Sequence, residues 1–194
     1  FRMTEERNHL SMKNIALIPA RGGSKRLPRK NLMDFSGRPI LAWTIDAARH
    51  AGCFERIIVS TDSDEIAQAA VGAGAEVDPR PEALAADAAQ VVEVCLEFLT
   101  RPDIAAIGYD TMTVLYPTAP LRTSGDIIAT LALLEHGLCD FALAVSEYDL
   151  PAYQALQMGD DGSLKPLMPE LVDLRSQDIG PLRVDNGSTY CVRI

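Results

Sequence analysis

Nowhere does this chain hold an apolar run approaching the ~20 residues that cross a bilayer, and its opening, FRMTEERNHLSMK, lacks the apolar core of a secretory leader. The expectation is a cytoplasmic protein with no membrane partner. Cys53, Cys95, Cys139 and Cys191 form no C-x-x-C and have no histidine at zinc-finger spacing, so reduced, buried thiols are expected rather than a zinc ribbon. A basic surplus is missing too. The net charge is −9 over 194 residues, which excludes a general nucleic-acid binder, because such proteins neutralise backbone phosphates with a basic face. One local absence runs the other way: no Asp or Glu occurs from Arg7 through Met33.

Inside that window lies IALIPARGGSKRLPRKNL, Ile15 to Leu32. Ile15 to Ala20 reads as a buried strand that runs through Pro19 into a Gly-Gly turn. Arg21, Lys25, Arg26, Arg29 and Lys30 follow within ten positions. Gly22 and Gly23 can adopt positive φ and let backbone N–H groups converge, so the turn offers fixed dipoles and mobile cations to a phosphate chain. Neither G-x-x-x-x-G-K-[ST] nor G-x-G-x-x-G is present, which excludes a Walker loop and a dinucleotide fingerprint. A solvated basic turn is the bland alternative. Positive charge concentrated in an otherwise acidic protein suits a small anionic ligand in a cleft.

The remaining chain alternates strand and helix patterns. At 194 residues, 47% hydrophobic and 23% charged, it has the size and composition of one α/β domain with a small extension. Ile40 to His50 has helical spacing, with Trp43 expected in the core. Arg56 to Thr61 is a β-branched run suited to a parallel strand, and Thr61 to Asp64 supplies caps for a helix reaching about Val71. Asp62 stands either as a cap or at a ligand-binding strand end. Ala75 to Val77 reads as a third strand, Asp78 to Ala86 as a loop, and Asp87 as the cap of a helix to about Leu99. Thr111 to Tyr116 and Phe141 to Glu147 read as strands flanking a helix from Thr123 or Ser124 to about His136. Tyr148 to Gly180 loosens into an arm with a strand-like Tyr153 to Met158 and a GDDG turn, and Asn186 to Ile194 is again β-rich. The divisions expected are a tail 1–13, a nucleotide-binding core 14–147, an arm 148–180 and a return to the core 181–194.

Six segments in this order, IPARGGSKRLPRKNL, IIVSTDSDEIA (57–67), GAEVDPRPEALAAD (74–87), LYPTAPLR (115–122), LRSQD (174–178) and DNGSTY (185–190), resemble the acylneuraminate cytidylyltransferases. The resemblance runs from Asn14 to the last residue. YPTAP and RSQD are closer to the pseudaminic-acid branch than to the sialic-acid branch, which usually reads QPTSP. It implies a Rossmann-like open, mostly parallel sheet flanked by helices, of the nucleotide-diphospho-sugar transferase type, with a small dimerisation arm and a homodimeric state. The partners implied are CTP and a nonulosonic acid, joined into a CMP-sugar with release of pyrophosphate.

By the same resemblance, Pro19, Ala20, Arg21, Gly22, Gly23, Ser24, Lys25, Asn31, Arg80, Pro81 and Asp87 contact the nucleotide. Arg21 and Lys25 have the catalytic role of gripping the triphosphate. Tyr116, Pro117, Thr118, Arg175, Gln177 and Asn186 face the sugar, Arg175 pairing with its carboxylate. Mg2+ is implied, with some ligands in an acidic I-D-I-D-type motif that the family carries beyond the position of Ile194, in a C-terminal part not among these residues. The metal ligands are otherwise unassigned, and His9, His50 and His136 match no motif. The usual D-T-A reads Asp87-Ala88-Ala89, which removes a hydroxyl. Two alternatives stand beside this reading: a 3-deoxy-octulosonate cytidylyltransferase, whose loop resembles S-T-R-L-P-G-K-P, unlike residues 24–31, and a non-catalytic CTP- or CMP-sugar-binding protein.

Overall fold

Ile15, Ala16, Leu17 and Ile18 are fully buried, as a strand covered on both faces requires. In the computed structural model, which describes residues 12–23, 27–86, 89–148 and 152–194, this strand is β1 (Asn14–Pro19). It is followed by β2 (Asp34–Phe35), β3 (Arg38–Pro39), α1 (Ile40–Ala51), β4 (Arg56–Thr61), α2 (Asp64–Gly72) and β5 (Glu76–Pro79). Next come α3 (Glu82–Ala85), α4 (Val91–Thr100), α5 (Pro102–Ala105), β6 (Thr111–Leu115), α6 (Ser124–Glu135) and β7 (Phe141–Glu147). The last elements are β8 (Leu156–Met158), β9 (Leu164–Pro166) and β10 (Arg183–Arg193).

Six strands form the main sheet in the order β5-β4-β1-β6-β10-β7. β1 pairs in parallel with β4 and β6, and β4 with β5, while β10 runs antiparallel to β6. An open, mostly parallel sheet is therefore present, as expected. Alternate residues of β1 enter different cores: Ala16 and Ile18 pack with Leu41, Ile45, Ile66 and Ile127 from α1, α2 and α6. Ile15 and Leu17 pack with Phe98 and Ile104 from α4 and α5. Successive strands lie on one side of β1 as far as β5, and the chain then crosses to place β6 on the other. That reversal makes the carboxyl ends of β1 and β6 a topological switch point, where open α/β sheets bind ligands. Beside α4 the sheet leaves an apolar groove of about 550 Å³, with Leu96, Phe141, Tyr190 and Val192 in its walls.

Local signals account for several boundaries. At the start of α6, Thr123 N–H donates to Asp126 Oδ2 (2.8 Å) and Asp126 N–H to Thr123 Oγ1 (3.2 Å), a reciprocal capping box. The start of α4 differs from expectation. Asp87 lies outside the described residues, and the cap is Gln90, whose N–H donates to Glu93 Oε2 at 2.7 Å. Trp43 also departs from its expected core position and is only partly buried. Its indole N–H donates to Phe35 O (2.8 Å), the Phe35 ring meets it edge-on at 6.2 Å, and the Arg38 guanidinium lies 4.9 Å above it. The β2–β3 hairpin, turned by Ser36 and Gly37 at positive φ, is thus stapled to α1.

The chain divides into two compact units, Phe1–Ala144 with Gly187–Ile194, and Val145–Asn186. Within the second, β8 and β9 form an antiparallel hairpin around Gly159 to Gly162, with Gly159 N–H donating to Ser163 O at 2.8 Å. Among the described residues, no helix is long and apolar enough to cross a membrane.

Candidate active site

Four parallel strands end in the segments that build one cleft: Pro19 at the end of β1 and Arg21 beyond it, Arg80 after β5, and Tyr116, Pro117 and Thr118 after β6 line it together with Lys30, Asn31, Ala89, Val91 and Val94. The fourth strand, β4, supplies the scaffold. Ser60 O accepts from Ala20 N–H at 2.9 Å and from Arg80 Nη2 at 2.8 Å, and Thr61 O accepts from Arg80 N–H at 2.8 Å. Burial pulls the Arg80 pKa down, and the Arg21 charge adds to this, while Asp62 opposes it. Arg21 Nη1 donates to Ala86 O at 3.1 Å. Asn31 is 2% exposed and donates to Arg21 O at 2.9 Å. Its Oδ1 has no partner among the described residues, leaving a buried acceptor beside the cleft.

The glycine turn is held differently from the expectation. Gly22 N–H does not open toward a guest; it donates to Asp62 Oδ1 at 2.7 Å. Neither Gly22 nor Gly23 has positive φ. Glycine is needed at 22 for space, since a Cβ there would lie 2.9 Å from Ser63 Cβ. Asp62 is therefore neither helix cap nor open ligand group but the anchor of the turn. Its position in T-D-S, after a buried strand, was visible; its partner forty residues earlier was not.

The Tyr116–Thr118 turn has its own clamp. Thr44 Oγ1 donates to Pro117 O at 3.3 Å, and Arg122 Nη2 donates to Tyr116 O (2.7 Å) and Ser188 O (2.8 Å). Arg122 is 8% exposed, and its Nε and Nη1 have no partner among the described residues. Burial pushes its pKa down to about 10, with Asp126 opposing. The only sequence signal for Arg122 was its place at the end of LYPTAPLR. Tyr116 also packs on Tyr190, ring centroids 5.2 Å apart.

A sequence profile for the cytidylyltransferases matches residues 15–125, which include all four strand ends of this cleft. The chain belongs to the cytidylyltransferase family. It is 33% identical over 183 residues to the pseudaminic acid cytidylyltransferase of Campylobacter jejuni, covering 92% of this chain and 78% of the relative. Against the CMP-N,N'-diacetyllegionaminic acid synthase of Legionella pneumophila it is 44% identical over 112 residues, 57% of this chain and 48% of that one. A solved CMP:2-keto-3-deoxy-manno-octonic acid synthetase complexed with CTP superposes with a TM-score of 0.68 at 19% identity, over 93% of this chain and 74% of that one, and shares the fold.

In this cytidylyltransferase the cleft thus gathers Pro19, Arg21, Asn31, Arg80, Tyr116, Pro117 and Thr118 of the expected contacts. Ala20 is buried beneath it, and Pro81 sits exposed at the start of α3. Ser24, Lys25 and Asp87 lie outside the described residues. Arg175, Gln177 and Asn186 belong to the second unit. There Arg175 makes a fork to Asp178, Nε to Oδ2 at 2.8 Å and Nη2 to Oδ1 at 3.2 Å. Lys30, one of the five cations noted in the basic loop, lines the cleft as well, and Ala89, Val91 and Val94 do so without having been singled out from the sequence. His50 closes the end of α1 through Asp46 O at 2.8 Å, and His136 caps α6. Among the described residues no group of three or more His, Cys, Asp or Glu could hold a metal.

Proposed function

We propose that this chain transfers the cytidylyl group of CTP to the anomeric hydroxyl of a nonulosonic acid of the pseudaminic, legionaminic or sialic type. The hydroxyl oxygen forms the new bond to the α-phosphorus, the bond to the bridging oxygen breaks, pyrophosphate departs and the hydroxyl proton is lost. The observation that carries this reading is the convergence of Arg21, Asn31 and Arg80 at the switch point of the sheet, in a chain similar to a pseudaminic acid cytidylyltransferase along 92% of its length. Transfer at phosphorus asks chiefly for positioning and charge stabilisation. Arg21 and Lys25 would hold the triphosphate, and Asn31, Arg80, Pro81 and Asp87 the nucleoside. Tyr116, Pro117, Thr118, Gln177 and Asn186 would face the sugar. Arg175 would take the sugar carboxylate in place of Asp178.

Mg2+ is proposed to enter with the triphosphate, since this ion is commonly held by substrate phosphates plus one or two carboxylates. The described residues form no metal site of their own, and no step above is routed through the ion. A homodimer through the second unit is also proposed. Met158 is 71% exposed there, and Leu156, Leu164 and Leu167 are each more than half exposed, apolar surface that a partner copy would cover. Sedimentation as a monomer at micromolar concentration would remove that part of the reading.

The test of the activity is CTP-dependent pyrophosphate release with a panel of nonulosonic acids and 3-deoxy-octulosonate, with and without EDTA. Turnover with a nonulosonic acid is expected. CTP binding with no turnover on any acid would leave a nucleotide-binding protein, and turnover on the octulosonate alone would move the substrate.

A further inference from the structure

The geometry points to Asp62 as a positioning residue for CTP, acting through the Gly22 turn and Arg80; this rests on the reading of the cleft as the CTP site. Asp62 follows the last residue of β4, and Oδ1 accepts from Gly22 N–H at 2.7 Å. That bond spans two of the four strand ends and ties the arginine-bearing turn after β1 to the end of the neighbouring strand β4. Gly22 is fitted against the same corner, with Ser63 Cβ 2.9 Å from where a Cβ would stand. The Asp62 charge also acts on Arg80, opposing the loss of charge that burial and Arg21 impose on it. Arg21 and Arg80 are like charges lining one cleft, and the Asp62 carboxylate, bonded to the turn that follows Arg21, offsets part of the cost of that pairing at Arg80 before any anion arrives. A negative group next to a phosphate site weakens phosphate binding if it faces the phosphates. Here one oxygen is turned to the backbone of the turn, so its contribution is orientation, and the cations remain in front.

Two variants separate this role from a merely structural one. Asp62→Asn keeps an acceptor oxygen for Gly22 and removes the charge; Asp62→Ala removes both. Asp62→Ala is expected to raise the CTP KM and lower kcat/KM for CTP by about 10- to 100-fold, the scale of a small misplacement of binding groups, at unchanged sugar-acid KM. Asp62→Asn is expected to recover the part due to the bond. A structural signature comes from the Gly22 amide proton of the ligand-free protein, which should exchange with solvent slowly in the parent and faster in Asp62→Ala, as read by NMR. Parent-like CTP kinetics in Asp62→Ala, equal losses for CTP and sugar, or a Gly22 amide that exchanges alike in parent and Asp62→Ala would each overturn the assignment. A parent protein that binds no CTP would instead defeat the reading of the cleft.

Discussion

Arg122 is the most exposed to argument of the single residues, because it is charged, buried and half-satisfied. Its two bonds to Tyr116 O and Ser188 O contribute about 1.5–3 kcal/mol each as charge-assisted hydrogen bonds, while the two nitrogens without a partner among the described residues, Nε and Nη1, cost about 1–3 kcal/mol each. The two sides nearly cancel. Replacement by an apolar side chain of similar length is therefore expected to be close to neutral in stability, as for other buried charges exchanged for hydrophobes. Arg122→Met should unfold in urea within about 1 kcal/mol of the parent, yet raise the CTP or sugar KM, because the Tyr116–Thr118 turn loses a tether. A loss above about 3 kcal/mol would mean the orphan donors are satisfied by water. The sequence announced the basic loop, the motif ends and the place of Asp62 but not the tasks of Asp62 and Arg122, which are set by Gly22 N–H and Ser188 O far away along the chain.

At the scale of elements, the edge strand β5 is fastened to β4 by a fork between Arg56 and Glu76, Nη2 to Oε2 at 2.6 Å and Nε to Oε1 at 3.0 Å. Those hydrogen bonds hold the Glu76 carboxyl below its usual value, with partial burial opposing. A carboxylate depressed in the folded state stabilises it above the unfolded pKa, and that contribution fades as pH falls through the lower folded value. The stability difference between the parent and Glu76→Gln should accordingly be constant above pH 4.5, the ordinary value, and shrink below it in melts run down to pH 3. Both groups are largely solvated, so the effect is small; a difference that grows with acid would contradict the pairing.

Elements whose identity rests on local pattern were legible. Phe141 to Glu147 forms a strand over the expected span, and α1 runs Ile40–Ala51 against an expected Ile40 to His50. Those that depend on competition or on distant partners were not. Gln90 with Glu93 displaced Asp87 as the cap of α4, and the β2–β3 hairpin exists because Trp43, on the next helix, receives it. The strand-like Tyr153 to Met158 opens as a 3-10 turn and becomes a strand only at Leu156.

For the molecule as a whole, all four cysteines are free, although Cys53, Cys139 and Cys191 gather at one satellite core. Burial pushes the Cys95 and Cys191 thiols up to about 11. Acids whose pKa is raised on folding contribute stability below their unfolded pKa that is lost as pH rises through the folded value. Melting temperature should therefore be indifferent to dithiothreitol at pH 7 and fall between pH 9 and 11, starting from the ordinary thiol value of 9.0. Iodoacetamide at pH 8, read by mass spectrometry, should label Cys95 and Cys191 only slowly until urea unfolds the chain. Rapid native labelling of Cys191 would contradict its burial.

The shortness of β5 has a consequence of another kind. Sheet edges are templates for adding foreign strands, and proteins blunt them with brevity, charge and proline. β5 has four residues, ends on Pro79, which has no N–H to offer, and keeps Glu76 in an ion pair at its start. Fibril growth by strand addition is thereby disfavoured along that margin, and the same strand end that carries Arg80 into the cleft is the one least able to recruit a second sheet.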